Sequence, residues 1–372
     1  MQGSASDVDG ERSWVINGRF LTQRMTGVQR YAYEIVTALD AILEKVGDIP
    51  GCPALRLVVP PGASVGAGLA RIGVHRTSFG SGHAWDQLVL PAHARAGVLS
   101  LANSGPLLAS RHIVCIHDAN TFILPESYSR AFGLTYRMLL PVLGKRASRI
   151  ATVSRFSASM LVKYGVAREE KIFIAPNGHE HVLRWNAARA RASLLDSLKR
   201  PYVLLLGSAA KHKNVDVILK QAQALDEAGL DIVVAGGGSG IFADEERTVA
   251  RPNLHHVGFV TDDDLAALYQ GAVCLAFPSL TEGFGIPPLE AMTLGCPVIS
   301  SDAASLKEVG GDAVLYVTPD DSGRWRDTIL MLAGNAELRA SLAAKGRLQA
   351  TLFSWKSSAQ VYLEEIQRLS AG

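Results

Sequence analysis

Apolar residues recur along this chain in two patterns. Short runs are apolar at almost every position: "SWVINGRF" (13–20), "ALRLVVP" (54–60), "RHIVCIHD" (111–118), "RIATVS" (149–154) and "KIFIAPNG" (171–178). Such runs read as strands buried on both faces. Between them apolar residues space out at helical intervals. In "GVQRYAYEIVTALDAIL", Val28, Tyr31, Ile35, Leu39 and Leu43 fall on one face. "ESYSRAFGLTYRMLLPVLGKRA" predicts a second helix, and "RFSASMLVKYG" a third with Ser154 as its N-cap. The alternation restarts near residue 202. "YVLLLGS", "LDIVVAGGG", "LHHVGFV", "VCLAFPS", "CPVISS" and "AVLYV" predict strands; "NVDVILKQAQALDEAG", "DDDLAALYQGA", "PPLEAMTLG" and "SLKEVGG" predict helices. Apolar strands joined by helices make parallel sheets, and two such series predict two doubly wound α/β domains. The helical, charged stretch "HVLRWNAARARASLLDSLKRP" (181–201) marks the break, placing the first domain at 1–185 and the second at 186–354.

The 372 residues, 48% of them hydrophobic and 19% charged, supply enough apolar surface for two cores. No run approaches the roughly 18 apolar residues of a membrane span. The polar, acidic start "MQGSASDVDGERS" lacks the basic and apolar regions of a secretory leader, so a cytoplasmic protein is expected. Cys52, Cys115, Cys274 and Cys296 form no CxxC pair, and neither a zinc site nor a disulfide is expected. The net charge of +2 conceals an asymmetry. Residues 1–178 carry 19 Lys and Arg against 12 Asp and Glu, and the remainder carries 18 against 23. The basic half suits an anionic partner such as a membrane surface, which predicts peripheral contact with the inner face of the cytoplasmic membrane. No basic run is interleaved with aromatics, which argues against nucleic acid.

Ligands in open α/β sheets bind beyond the carboxyl ends of the strands. Four loops stand there: "LTQRMTGVQR", "HDANT", "SAAKHKN" and "SLTEGFGIPP". The last is the richest. Glu282 and Glu290 stand eight apart around Gly283, Gly285, Pro287 and Pro288. The glycines let backbone amides approach a ligand, and a proline suits the first helical turn. A helix beginning there offers unpaired N–H groups and the positive end of its dipole to an anion. Glu290 lies about a turn inside the helix and Glu282 stays in the loop before it. Lys211 and Lys213 can neutralise a diphosphate.

"EGFGIPPLEAM", followed by Gly295, Pro297 and Val298, resembles the hallmark of the retaining glycosyltransferases of family 4, which have the GT-B fold. "WVINGRFLTQRMTGVQRYAYEI", "AWDQLVLP", "IHDANTFILPE", "ATVSRFSA", "APNG", "GSAAKHKNVD", "VTDDDLAALYQGA" and "FSWKSSA" fall in the family's order, so the resemblance covers most of the chain. It implies two Rossmann-like domains facing a central cleft. The first binds the acceptor and the second a nucleotide-sugar, and a terminal helix (355–372) crosses back to the first. It implies that Glu282 contacts the donor sugar, that Glu290 binds the ribose, and that the backbone of Phe284, Gly285 and Ile286 holds the diphosphate. Lys213, Lys211, Gly207 and Ser208 would flank that diphosphate, Gly27 would approach it from the first domain, and His117 would lie by the transferred sugar. Ser208 departs from the pattern: many relatives have an arginine there, and Lys211 is the cation placed to compensate. The resemblance implies no resident metal or cofactor. The expected activity is transfer of a hexose, with GDP-mannose as favoured donor, to a saccharide or lipid-linked saccharide in surface polysaccharide or lipopolysaccharide assembly.

Two other readings compete. Gly238-x-Gly240-x-x-Ala243 after a strand echoes a dinucleotide fingerprint and suggests an NAD-dependent oxidoreductase; no strand-ending acid follows at the required distance. A non-catalytic GT-B-like sugar-nucleotide-binding protein would be expected to have lost Glu282, Glu290 or Lys213. Asp262, Asp263 and Asp264 imitate a metal motif but precede an apolar helical pattern, which predicts a helix start with Thr261 or Asp262 as its cap.

Overall fold

The computed structural model describes residues 13–66, 68–207, 210–237 and 252–371. The chain divides into two units. One gathers the chain up to Phe122, Arg130–Gly178 and the segment from Ser354; the other takes Ile123–Ser129 and His179–Phe353. The break at Gly178/His179 lies seven residues before the sequence-based 185/186. Ser127 Oγ accepts a hydrogen bond from the His212 amide at 3.1 Å, which ties the short segment 123–129 to the second unit.

The first unit is built on seven parallel strands: β1 Trp14–Asn17, β2 Leu55–Val59, β3 Gly73–Arg76, β4 Val98–Ser100, β5 His112–Cys115, β6 Arg149–Thr152 and β7 Ile172–Ile174. Their order is β3-β2-β1-β4-β5-β6-β7. β1, β4 and β5 are buried throughout, as strands covered on both faces must be. The helix Gly27–Val46 buries Tyr31, Ile35, Leu39 and Ile42, close to the face predicted for it. The terminal helix Trp355–Ala371 packs in this unit. Its Tyr362 hydroxyl meets that of Tyr31 at 2.9 Å, its Ser358 Oγ donates to the Pro176 carbonyl at 2.6 Å, and Glu365 pairs with Arg149 at 2.8 Å.

The second unit holds six parallel strands: β8 Tyr202–Leu206, β9 Asp231–Ala235, β10 Leu254–Gly258, β11 Cys274–Phe277, β12 Val298–Ser301 and β13 Leu315–Val317. Their order is β10-β9-β8-β11-β12-β13. Val203 and Leu205 of β8 point into one core with Ile218, Ile232, Val234, Trp325 and Ile329. In each sheet the winding direction reverses once, between β1 and β4 and between β8 and β11. The loops after those strands diverge and leave a crevice at the carboxyl edge.

Two expectations need correction. The helix read over 214–229 is broken at Lys220–Gln221 into Asp216–Leu219 and Ala222–Glu227. The stretch 181–201 is no continuous helix. It forms short 3-10 turns at Glu180–Arg184 and Ala187–Arg189 and a five-residue helix, Ala192–Asp196. There Asp263 and Asp264 accept hydrogen bonds from the backbone amides of Asn186 and Arg191, at 2.7 and 2.8 Å, and draw the chain away from a regular spiral. Among the described residues no helix is long and apolar enough to cross a membrane.

Candidate active site

The loops after β8 and β11, on either side of the reversal in the second sheet, carry most of the predicted residues. After β8 the chain makes a 3-10 turn, Lys211–Lys213, and leaves it through Asn214 in the left-handed region at φ 50°. The Asn214 side chain donates to the carbonyls of Pro278 (3.2 Å) and Pro319 (2.8 Å). The Leu280 amide donates to the His212 carbonyl at 2.7 Å. The two loops are therefore fixed to each other through backbone groups before any charge is considered.

Lys213 is brought to Glu282, with Nζ 2.8 Å from Oε1, and both side chains are largely shielded from solvent. The same ammonium lies 5.3 Å from the centroid of the Phe277 ring. Lys211, two residues earlier, stays exposed. Ser305 Oγ lies 2.9 Å from the carbonyls of both Glu282 and Phe284, pinning the loop to the segment after β12. Phe284 is buried edge-on against Phe353, with ring centroids 5.4 Å apart.

Gly285 then turns the chain into the helix Ile286–Leu294 at φ 107°. That conformation demands glycine here, and a Cβ at Gly285 would also lie 2.7 Å from Leu306 Cδ2, which would have to shift. The first four amides of a helix have no partner within it. Here Pro287 and Pro288 have no amide hydrogen, so Gly285 and Ile286 carry the donors at the helix mouth. No acidic side chain occupies the first turn, and the positive end of the dipole is left for an anion. Gly295 closes the helix in the left-handed region at φ 75°.

Glu290 is buried, at 5% exposure, and is held at both oxygens. His181 Nε2 approaches Oε1 at 3.1 Å, and the Tyr269 hydroxyl donates to Oε2 at 3.2 Å. A carboxylate offers about four acceptor positions, so these bonds leave capacity for a pair of hydroxyls. Nothing in the sequence singles out His181, Tyr269 or Ser305 as supports of the site. His181 precedes Glu290 by 109 positions, and no spacing rule joins them. Gly207 is buried at the end of β8, and its amide donates to the Ala235 carbonyl at 2.9 Å. Ser208, Gly238, Gly240 and Ala243 lie outside the described residues.

Gly27 and His117 belong to the first unit. Gly27 is exposed at the first position of its 20-residue helix. His117 follows β5 and is 6% exposed. Its Nε2 donates to the Leu101 carbonyl at 2.9 Å. A carbonyl can only accept, so the proton sits on Nε2 and Nδ1 keeps its lone pair. Burial pulls the pKa of His117 down to about 4, and the bond to Leu101 opposes this only in part. His117 is thus a neutral hydrogen-bond acceptor at physiological pH. Also near the reversal in this sheet, Arg19 pairs with the fully buried Asp86 at 2.9 Å, and Asn17 donates to the same carboxylate at 2.9 Å.

Asp262–Asp264 open the helix Asp262–Gly271. Thr261 Oγ accepts from the Asp264 amide at 3.1 Å, and Asp264 accepts in return from the Thr261 amide at 3.0 Å, a complete capping box. Asp263 and Asp264 also pair with Arg189 and Arg191. Among the described residues no three His, Cys, Asp or Glu side chains group so as to hold a metal ion.

Residues 187–349 match the family model of the glycosyl transferases of group 1. The O-antigen chain mannosyltransferase B of Escherichia coli is 30% identical over 268 residues, 68% of this chain and 69% of that protein. The O-antigen chain mannosyltransferase RfbU of Salmonella typhimurium is 30% identical over 227 residues, 60% of this chain and 61% of its own length. The sucrose-phosphate synthase of Thermosynechococcus elongatus superposes with a TM-score of 0.74 over 97% of this chain and 99% of that chain, at 18% identity, which places the fold as GT-B. The glycine-mouthed helix with its two glutamates, the lysine held against the first of them and the relative matched over two thirds of both lengths agree, and the chain belongs to the glycosyl transferases of group 1.

Proposed function

We propose that the protein is a retaining glycosyltransferase that moves a hexose, mannose, from a nucleotide-sugar to a saccharide acceptor in surface polysaccharide or lipopolysaccharide assembly. The observation that carries this reading is the Lys213–Glu282 pair, 2.8 Å apart, at the mouth of the helix Ile286–Leu294. Negative charge grows on the diphosphate as its bond to the sugar carbon breaks. The Lys213 ammonium, the amides of Gly285 and Ile286 and the helix dipole are fixed beforehand and stabilise that charge without reorganising. Glu282 has one oxygen on Lys213 and the other to accept a sugar hydroxyl. Glu290, steadied by His181 and Tyr269, accepts from the ribose hydroxyls.

The sugar carbon passes through an oxocarbenium-like state. The acceptor oxygen bonds to that carbon on the face the diphosphate leaves. The electron pair of the broken bond stays on the phosphate oxygen, which takes the acceptor proton, so the anomeric configuration is retained. Neutral His117, in the first unit, offers Nδ1 as an acceptor for a substrate hydroxyl. The positive charge comes from protein groups, so the reading requires no resident metal. Both curated relatives are named as O-antigen chain mannosyltransferases, which supports mannose as the sugar; GDP-mannose as donor and a lipid-linked saccharide as acceptor belong to the same proposal.

Calorimetry with GDP-, UDP- and ADP-sugars, with and without EDTA, tests the donor. GDP-mannose should bind, EDTA should not matter, and Lys213→Ala should weaken binding by roughly tenfold or more. Binding of none of the three overturns the donor site, an EDTA-sensitive transfer overturns the metal-free account, and an inverted product anomer by proton NMR overturns retention.

A further inference from the structure

The 3-10 turn Lys211–Lys213 of the second unit carries three basic side chains in three different surroundings. Lys211 is exposed, Lys213 is tied to Glu282, and His212 between them is only 9% exposed. The segment 123–129 packs on His212. Its ring lies at 18° to that of Tyr128, with centroids 6.1 Å apart, and its amide donates to Ser127 Oγ at 3.1 Å. On the other side its carbonyl accepts from the Leu280 amide at 2.7 Å. Main-chain bonds thus hold the residue from two directions, and its ring fills a slot that an apolar side chain would fill at lower cost. Nδ1 is buried there with no hydrogen-bond partner, a desolvated polar atom left unpaired.

A polar ring kept in such a slot points to a ligand. Burial lowers its pKa, the Lys213 ammonium lowers it further and Glu282 opposes them, so the imidazole is neutral near pH 7. Its Nε2 has no hydrogen bond among the described residues and, unlike Nδ1, is not sealed from solvent. A desolvated N–H without an acceptor is rarer in folded proteins than a desolvated lone pair, so the proton sits on Nε2. The ring therefore offers one N–H beside the Lys213–Glu282 pair. That pair is neutral as a whole, so a diphosphate arriving there gains from each further donor. We propose that His212 is a further donor-binding residue, whose Nε2–H hydrogen-bonds an oxygen of the leaving diphosphate. The assignment rests on the reading of this crevice as the nucleotide-sugar site.

Calorimetry with GDP, UDP and ADP identifies the diphosphate that the wild type binds, and the same titration is then made on two variants. His212→Phe keeps a ring against Tyr128 and has no nitrogen. It should bind that diphosphate roughly tenfold to a hundredfold more weakly. It should bind the matching nucleoside, measured by competition, as the wild type does. It should also melt at the wild-type temperature or above, because the unpaired nitrogen is gone. His212→Gln, which can place an amide N–H near the position of Nε2, should recover part of the affinity. A phenylalanine variant with wild-type diphosphate affinity overturns the proposal. So does one that melts lower and loses nucleoside and diphosphate affinity alike, which would show that the ring only packs. A wild type that binds none of the three diphosphates overturns the donor reading, and the assignment of His212 falls with it.

Discussion

Acidification offers a direct reading of the buried histidine in the first unit. His117 is 6% exposed and its pKa is pulled down to about 4 by burial, whereas an unfolded histidine titrates near about 6.5. Above that value both states are neutral and the difference costs nothing. As pH falls through about 6.5 the unfolded chain takes up a proton that the folded protein refuses, so stability is lost until the pH reaches about 4. Between about pH 7.5 and pH 5 the loss from this one group is about 2 kcal/mol. His112, buried and pulled down to about 3, adds a similar loss over the same interval. The perturbation is His117→Gln, whose amide nitrogen can still donate to the Leu101 carbonyl and which does not titrate. Urea unfolding at about pH 7.5 and pH 5 should show the variant losing about 2 kcal/mol less than the wild type. Equal losses in the two proteins would refute the neutral, buried histidine. An upward drift of the His117 imidazole titration toward 6.5 in the folded protein, seen by NMR, would refute it as well.

The other expectations are local. Gly285→Ala should destabilise the second unit by about 1–3 kcal/mol and weaken donor binding, since it forces a side chain into the left-handed region and against Leu306; an unchanged melting temperature counts against that geometry. Thr261→Ala should cost about 1 kcal/mol by removing half a capping box, and leave transfer rate and metal response as they were; a changed metal response would reopen Asp262–Asp264 as a ligand site. His181→Ala should raise the donor KM several-fold with kcat little changed, because it frees Glu290 at one oxygen, and His181→Gln should restore part of the loss. A fall in kcat at constant KM would show that His181 does something other than position Glu290.

Legibility in the sequence followed burial and local hydrogen bonding. β8 and β11 were plain because strands covered on both faces are apolar at successive positions. The cap at Ser154 was plain because it acts over three residues; of Thr261 and Asp262 the structure takes Thr261, whose capping box accounts for the three aspartates as a helix start. β3, Gly73–Arg76, escaped because it is the edge strand of its sheet and no residue in it is buried, so no apolar run betrays it. β4, Val98–Ser100, was also unread. The helices Ser322–Gly334 and Ala336–Ala350 were also unread; the second buries only Leu342, Gly346 and Ala350 and gives little periodic signal. In the site, the two glutamates stood out through the glycines and prolines around them, and Lys213 through its place in the loop after a strand. Their supports, His181, Tyr269 and Ser305, did not, because a hydrogen bond between distant segments leaves no local mark.

That division has a physical reason that bears on how the site works. The groups assigned to the ligand must present charge and backbone amides to an anion, and this demands unusual local chemistry: glycine where φ is positive, proline where an amide is unwanted, lysine opposite glutamate. The groups that hold them need only a donor at the right place, and many residue types at many positions supply one. The loops after β8 and β11 are therefore specified twice, once by their own conformation and once by ties from elsewhere: Asn214 to Pro278, Leu280 to His212, Ser305 to the carbonyls of Glu282 and Phe284. The reversal of strand order between β8 and β11 opens the crevice, and those ties hold its rims fixed before a ligand arrives. A diphosphate bound there meets charge that is already in place, which is what stabilising a leaving group requires.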